Sequence, residues 1–173
     1  LDFRTDNNTL KTADHPLYID MVKVFLLKPL APGQQTTIST PFHVQLPYNF
    51  SIGGHSAQSY QITQWFPKPA VYDKEGWHQM PYLDQGEFYS EFGNFEVQIT
   101  LPSNYVVAAT GQLQNEEEKK WLLERRNFKM PEIVKPKSNT KSFKKPDTEN
   151  LIVIPSSSTS KTLVYKQDNI HDF

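Results

Sequence analysis

Histidine is the side chain here best suited to hold a metal ion or move a proton, and the chain has five of them. A hydrolytic zinc site needs His-Glu-x-x-His on a helix, because two histidines four residues apart share one face and the glutamate acts on the zinc-bound water. No histidine is followed by Glu-x-x-His, and no two lie at ligand spacing; they are His15, His43, His55, His78 and His171. The sequence therefore predicts no metal site and no catalytic residue in this chain.

Each histidine also has a structural interpretation. His78 follows Trp77, which indicates a hydrogen-bonded residue in an aromatic core, and His55 follows two glycines, which indicates a solvated loop. His171 precedes Asp172, but a His–Asp pair makes no nucleophilic site without a serine or cysteine partner. His15 and His43 carry no signal for either interpretation.

The segment 64–93 crowds tryptophans, tyrosines and phenylalanines around charged side chains. Trp65, Tyr72, Trp77 and Tyr82 form either a core or a sugar-stacking platform, and the core is the favoured interpretation. Glu87 and Glu91 invite comparison with the paired carboxylates of glycoside cleavage. The favoured interpretation is again structural: these carboxylates bind Lys68 or backbone donors.

Composition narrows the class of protein. The 173 residues include 13 prolines and no cysteine, and the hydrophobic share is 37%. These values are typical of one loop-rich β domain without disulfides. A net charge of −1 gives no electrostatic case for nucleic acid, and no apolar run is long enough to span a bilayer.

Alternation of apolar and polar residues predicts the elements. Residues 1–16 are predicted to be a poorly ordered lead-in, and 17–128 a β domain with a short helix at 116–126. Residues 129–160 are predicted to be loop-rich or disordered, and 161–173 to hold a last strand and a junction towards a missing catalytic domain.

Individual strands follow from the same pattern. They are predicted at 18–27, 34–46, 58–66, 95–101, 105–110 and 162–165. The first two should form a hairpin around the Pro-Leu-Ala-Pro-Gly turn at 29–33. In 95–101 the apolar residues Phe95, Val97, Ile99 and Leu101 alternate with polar ones, as in an antiparallel strand with one wet face. The predicted fold class is all-β, with mostly antiparallel, sandwich- or saddle-like sheets and one short helix.

Several separated strings resemble one known family. QWFPKPAVYD, GWH and PYL.QGEFY.EFG.FEV.ITLP.NYVVAATG are similar to the amino-terminal domain of M1-family zinc aminopeptidases, in a bacterial branch. The resemblance covers about 28–111 and returns in Asn-Ile-His-Asp-Phe at 169–173, which is similar to the family's junction into its catalytic domain. It implies a mostly antiparallel β domain that leans on a zinc-bearing catalytic domain, here missing, and a periplasmic or secreted location.

The resemblance also implies one substrate contact. In M1 enzymes a glutamine or glutamate of this domain binds the free α-amino group of the peptide. Alignment on Pro67 places Gln58 there, with Gln61 or Gln64 if the register slips, while an ordinary strand-edge glutamine is the alternative. The parent is then expected to be a zinc-dependent aminopeptidase, with no cofactor in this chain.

Two further functions stay open at this point. One is a stand-alone carbohydrate- or protein-binding β-sandwich, which requires an exposed row of Trp65, Tyr72, Trp77 and Tyr82. The other is a domain of an M1-like protein that has lost its zinc ligands.

Overall fold

The computed structural model describes residues 2–48, 52–83, 85–86, 88–127 and 154–173. The chain forms two compact units. The first comprises Leu1–Glu91 with Asp172, and the second comprises Phe92–His171 with Phe173. Most of the predicted segment 129–160, and Glu87, lie outside the described residues. Among the residues that the structure describes, no helix has the length and apolar character needed to cross a membrane.

The first unit is built from short antiparallel hairpins. Four two-stranded ladders follow one another along the chain, pairing β1 with β2, β3 with β4, β5 with β6, and β7 with β8. The strands are β1 (Arg4–Thr5), β2 (Asn8–Thr9), β3 (Lys11–Asp14), β4 (Val22–Phe25), β5 (Gly54–Ser56), β6 (Ser59–Gln61), β7 (Val71–Asp73) and β8 (Gly76–His78).

Residues 2–16 contain the strands β1, β2 and β3, in the segment predicted to be a poorly ordered lead-in. Asp6 and Asn7 have φ of 46° and 65°, the left-handed values that a two-residue hairpin turn requires. Asp and Asn adopt that conformation more easily than other non-glycine residues, so β1 and β2 can close on each other. The hairpin buries Phe3 and Leu10.

The predicted hairpin of 18–27 with 34–46 is wrong. Only Val22–Phe25 forms a strand in the first segment, and it pairs with β3, with Lys11 opposite Phe25. In 34–46 a single bridge joins Ser39 to Arg4. Ile38, Phe42 and Val44 are exposed, so the alternation of apolar and polar residues does not place an apolar face against a core. Pro29, Pro32, Pro41 and Pro47 in and beside this segment also lack the N–H that a ladder needs.

The predicted strand 58–66 shortens to β6. Ala57 and Gln58 form the turn of the β5–β6 hairpin, and Ala57 has φ of 49°. The Gly-Gly-His stretch predicted as a flexible connection supplies β5 instead.

The second unit contains the two longest strands of the described residues, β9 (Gly93–Pro102) and β11 (Ser160–Ile170). It also contains the two-residue strand β10 (Gln112–Leu113), and helix α1 (Glu116–Arg126) lies between β10 and β11. The sheet order is β10-β11-β9, and all pairs are antiparallel. Every odd-numbered residue from Gly93 to Leu101 is half-buried and every even-numbered one exposed, which confirms the predicted alternation. The helix has the predicted bounds.

The core of this unit lies on one face of the sheet. Leu163 and Tyr165 of β11 are only 2% and 4% exposed. From α1, Glu118 reaches Lys161 at 2.6 Å, and the Lys161 ammonium lies 4.0 Å from the centre of the Trp121 ring. The carboxylate thus compensates the lysine charge where both are largely withdrawn from water.

Two strand predictions in this unit need correction. The segment 105–110 forms no strand, although its Val107 carbonyl accepts a hydrogen bond of 3.1 Å from the Tyr165 hydroxyl. The last strand extends well beyond the predicted 162–165, because its partner β9 is equally long. The described chain is mostly β, with small antiparallel sheets and one short helix.

Candidate functional site

The β7–β8 hairpin lies at the centre of the aromatic segment and presents its chemistry on two faces. Its turn is Lys74–Glu75, with Asp73 opposite Gly76. The Asp73 carboxylate accepts a hydrogen bond of 2.8 Å from the Glu75 amide, and Gly76 has φ of 107°. An Asx-type bond and a left-handed glycine are what a tight turn requires, so the Asp-Lys-Glu-Gly string encodes it locally.

One face of the hairpin carries two exposed rings, Tyr72 and Trp77, which we call the aromatic pair. They are directly opposite each other in the ladder, and their ring centroids lie 4.8 Å apart at an interplanar angle of 53°. The side chains are 65% and 63% exposed, so this contact is between two rings that both remain in water. Aromatic groups of this size normally bury most of their area. The aromatic pair therefore belongs to the surface of the described chain and not to its core.

The opposite face carries Val71, Asp73 and His78. Val71 is 2% exposed and anchors the hairpin. His78 Nε2 lies 2.8 Å from Asp73 Oδ1, although the angle is not that of a hydrogen bond and Nε2 has no hydrogen-bond partner among the described residues. The Tyr89 ring stands edge-on to the imidazole with centroids 5.5 Å apart.

The Asp73–His78 contact changes the carboxylate. The close approach of the His78 ring is the main cause that lowers the pKa of Asp73, and the Glu75 amide adds to it. The carboxylate is therefore held in its charged form, which suits a structural ion pair more than a general acid. The sequence analysis predicted a structural role for His78 but did not identify Asp73 as its partner. Only the two-residue turn brings residues five apart in sequence together.

The remaining predicted platform residues separate. Trp65 is half-buried against Phe42 and Phe66, with centroids at 5.9 and 5.2 Å. Tyr82 is 53% exposed, and its amide donates a 2.6 Å hydrogen bond to Asp20. The favoured core interpretation thus holds in part for Trp65 and is wrong for the aromatic pair and Tyr82.

Three of the four other histidines contact neighbouring groups. His15 Nδ1 accepts hydrogen bonds from the amides of Leu17 and Tyr18. His55 is half-buried between the rings of Tyr48 and Tyr60, so its predicted solvated loop is wrong. His171 packs near Phe92, with centroids 5.7 Å apart, and His43 is exposed. Within the described ranges, no three metal-binding side chains converge.

The three glutamines predicted for substrate contact lie on or after the β5–β6 hairpin. Gln58 is half-buried in its turn, Gln61 is exposed at the end of β6, and Gln64 is half-buried with φ of 49°. Gln58 is thus a hairpin-turn residue and not part of a strand.

The described chain contains only one member of the predicted carboxylate pair. Glu87 lies outside it, and Glu91 is exposed. Lys68, the cation predicted to bind them, has its Nζ 2.8 Å from Oδ2 of Asp172, which belongs to the same unit. The sequence analysis missed this pair, because 104 residues of chain separate its members.

No protein-family model, no curated protein and no solved structure matches this chain. Function has to be argued from the residues and their geometry.

Proposed function

We propose that this chain is a non-catalytic amino-terminal β domain of an M1-type zinc aminopeptidase-like protein. In this proposal it packs on a zinc-bearing catalytic domain and helps to shape the pocket that receives the amino end of a peptide. Zinc would belong to that catalytic domain and not to this chain. The finer architecture of sandwich- or saddle-like sheets is part of the same proposal.

The exposure of the aromatic pair is the observation that best supports this role. The segment with the most family-like strings, 64–93, places Tyr72, Trp77 and Tyr82 in water instead of in its own core. Exposed aromatic rings grouped in one segment are typical of surfaces that another protein surface covers. A catalytic domain of the same polypeptide would supply that cover.

Activity and metal binding test the proposal directly. The purified 173-residue chain is expected to bind no zinc stoichiometrically and to cleave no aminoacyl-arylamide. A longer protein that continues beyond Phe173 is expected to carry His-Glu-x-x-His and to do both. Hydrolysis by this chain alone, or a continuation without that motif, contradicts the aminopeptidase role; the latter result would favour an M1-like protein without its metal ligands.

The glutamine contact has its own experiment in that longer protein. A neutral amide accepts a hydrogen bond from an ammonium group, so replacing Gln58 by alanine should raise KM for peptides with a free amino end. The cost of one such bond is about 1–3 kcal/mol, or roughly 5- to 150-fold. Gln61→Ala and Gln64→Ala are the matched variants, and the largest effect identifies the contact. Equal, negligible effects at all three would remove glutamine from the pocket.

The aromatic pair also favours a second candidate, a stand-alone carbohydrate- or protein-binding module. Two exposed rings on a rigid hairpin can stack on a sugar ring. Trp77→Ala and Tyr72→Ala should each abolish retention on polysaccharide gels, while Tyr18→Ala, which removes an exposed ring elsewhere, should not. If the unsubstituted 173-residue chain is not retained on any polysaccharide gel, a carbohydrate-binding function is excluded.

A further inference from the structure

The outer strand of the three-stranded sheet has one edge without a partner in the described part of the chain. Sheet order β10-β11-β9 places β9 at the outside, paired only with β11. β9 is ten residues long. A strand of this length offers a template for a further strand.

Hydrogen bonds of β11 show which groups of β9 face that edge. The Gln114 amide donates to the Val164 carbonyl at 2.8 Å, and the Val164 amide donates to Asn115 Oδ1 at 2.8 Å. Val164 therefore turns its backbone towards β10, and its neighbours Leu163 and Tyr165 turn theirs towards β9. These two are opposite Ile99 and Val97.

The alternation of an antiparallel ladder then fixes the rest of β9. Because Val97 and Ile99 bond to β11, the N–H and C=O groups of Glu96, Gln98 and Thr100 point away from the sheet. The side chains of these three residues are exposed. The edge is thus a regular row of accessible donors and acceptors.

Between its ends at Gly93 and Pro102, the edge lacks two of the devices that natural sheets use to prevent pairing. Residues 94–101 contain no proline and no lysine, and their register with β11 is unbroken from Leu101 to Phe95. The one charge, on Glu96, is compensated by Lys166 at 2.8 Å. Such an edge is a template for pairing with another strand.

The exposure of side chains on the core face also indicates that, in the described chain, β9 lacks a neighbouring strand on its outer side. Leu163 and Tyr165 are nearly inaccessible, whereas Val97, Ile99 and Leu101 on β9 are only half-buried. A strand added beside β9 would complete the ladder and extend the apolar face. Its own apolar side chains would have to alternate and point to the same face as those of β9.

We propose that the occupant is β9 of a second copy of this chain, added antiparallel about a two-fold axis perpendicular to the sheet. The outward groups are all on even-numbered residues, so the axis passes through a residue and not between two residues. Val97 and Gln98 are at the centre of β9, so an axis through either of them pairs the greatest length of strand. Either register places apolar residues opposite apolar ones, for example Val97 opposite Ile99 or itself. Either register also places Glu96 opposite a neutral residue, Gln98 or Thr100, so no like charges meet. The two three-stranded sheets become one six-stranded sheet, an isologous interface.

Proline at position 98 tests the proposal without breaking the sheet. The Gln98 N–H points outward, so Gln98→Pro removes a hydrogen bond to the second copy. Because the two-fold axis relates the copies, each dimer loses two such hydrogen bonds. Gln98→Ala keeps that N–H and is the control. By analytical ultracentrifugation the full chain and Gln98→Ala are expected to be dimers in equilibrium with monomers. Gln98→Pro should dissociate about tenfold or more readily.

Each result is decisive provided that the variants fold alike by far-ultraviolet circular dichroism. Were Gln98→Pro to change that spectrum, a Thr100→Pro variant, which also removes an outward N–H, would take its place. A chain that stays monomeric over the whole concentration series overturns the proposal. A dimer that withstands both proline substitutions forms elsewhere and overturns it equally.

Discussion

Asp73 is the residue whose ionisation the hairpin controls most directly. The His78 ring and the Glu75 amide both favour its charged form and lower its pKa. Because the folded value is depressed, this contribution to stability is complete above the ordinary carboxyl pKa of about 3.9 and is lost as pH falls through the lowered value. In an NMR titration, His78→Gln should raise the Asp73 pKa towards the ordinary value. His43→Gln, at an exposed site, should leave it unchanged, and an unmoved midpoint in His78→Gln would contradict the assigned cause.

Gly111 is the glycine that packing makes hardest to replace. It has φ of 87°, and a Cβ added there would lie 2.7 Å from the Lys166 carbonyl oxygen. Gly33 is the matched control, because its φ is 79° and an added Cβ meets nothing within 4 Å. In urea unfolding, Gly33→Ala should cost about 1 kcal/mol for strained backbone alone. Gly111→Ala should cost clearly more, and equal losses would show that the contact with β11 relaxes freely.

At the scale of single residues, the sequence predicts which side chains are capable of chemistry better than it predicts their surroundings. The absence of His-Glu-x-x-His is readable directly, but the exposure of Tyr72 and Trp77 is not. Aromatic content alone favours a core, and only the hairpin register shows that these two rings share a face while Val71 takes the buried one. The Asp73–His78 pair is likewise a product of the turn.

Among the elements, helix α1 illustrates how tertiary contacts replace local ones. Asn115 stands at its N-cap but makes no side-chain capping bond. Its side chain instead binds β11, donating to the Thr162 carbonyl and accepting from the Val164 amide. The charge pattern of three glutamates at the start and two arginines at the end suffices to predict the helix, because it complements the dipole.

Removing apolar volume from β11 should test the centre of the second unit. Leu163 is 2% exposed, so Leu163→Ala should lower the free energy of unfolding by about 2–5 kcal/mol. Val164, on the other face, is half-buried, and Val164→Ala should cost about 1 kcal/mol or less. The measurement is urea unfolding followed by circular dichroism. Comparable losses for the two variants would mean that the apolar core is not confined to the face of Leu163.

Strands were predictable where one face is buried and the other wet. β9 meets that condition, and its alternation gives the strand and its inward side chains. The segment 34–46 alternates as well, but Ile38, Phe42 and Val44 stay exposed and Pro41 lacks an N–H, so no ladder forms. The hairpin of β1 and β2 was missed because its signal is the Asp-Asn turn and not an apolar pattern.

Considered as a whole molecule, the chain exposes many large apolar side chains for its size. In the first unit, Leu17, Ile19, Leu27 and Tyr48 are all well exposed in addition to the aromatic pair. Where such groups form a contiguous patch, they are typical of a surface that another protein covers. The proposed catalytic domain and the proposed second copy would cover different surfaces, one on the first unit and one at the edge of the second.

Quenching of Trp77 tests the larger of these two surfaces. Trp77 is 63% exposed, whereas Trp65 and Trp121 are half-buried, so a Trp65→Phe, Trp121→Phe double variant reports on Trp77 alone. In the 173-residue chain its emission should be red-shifted and readily quenched by acrylamide. In a longer protein that carries the proposed catalytic domain, the Trp77 contribution is the difference between the emission with Trp77 and with Trp77→Phe. This contribution should shift to the blue and its quenching should fall severalfold, because the ring leaves water. A Trp65→Phe, Trp77→Phe double variant retains only Trp121. The emission and quenching of Trp121 should differ little between the two proteins. If Trp77 is quenched equally in both proteins, the aromatic pair does not receive the catalytic domain and is free for a ligand from outside.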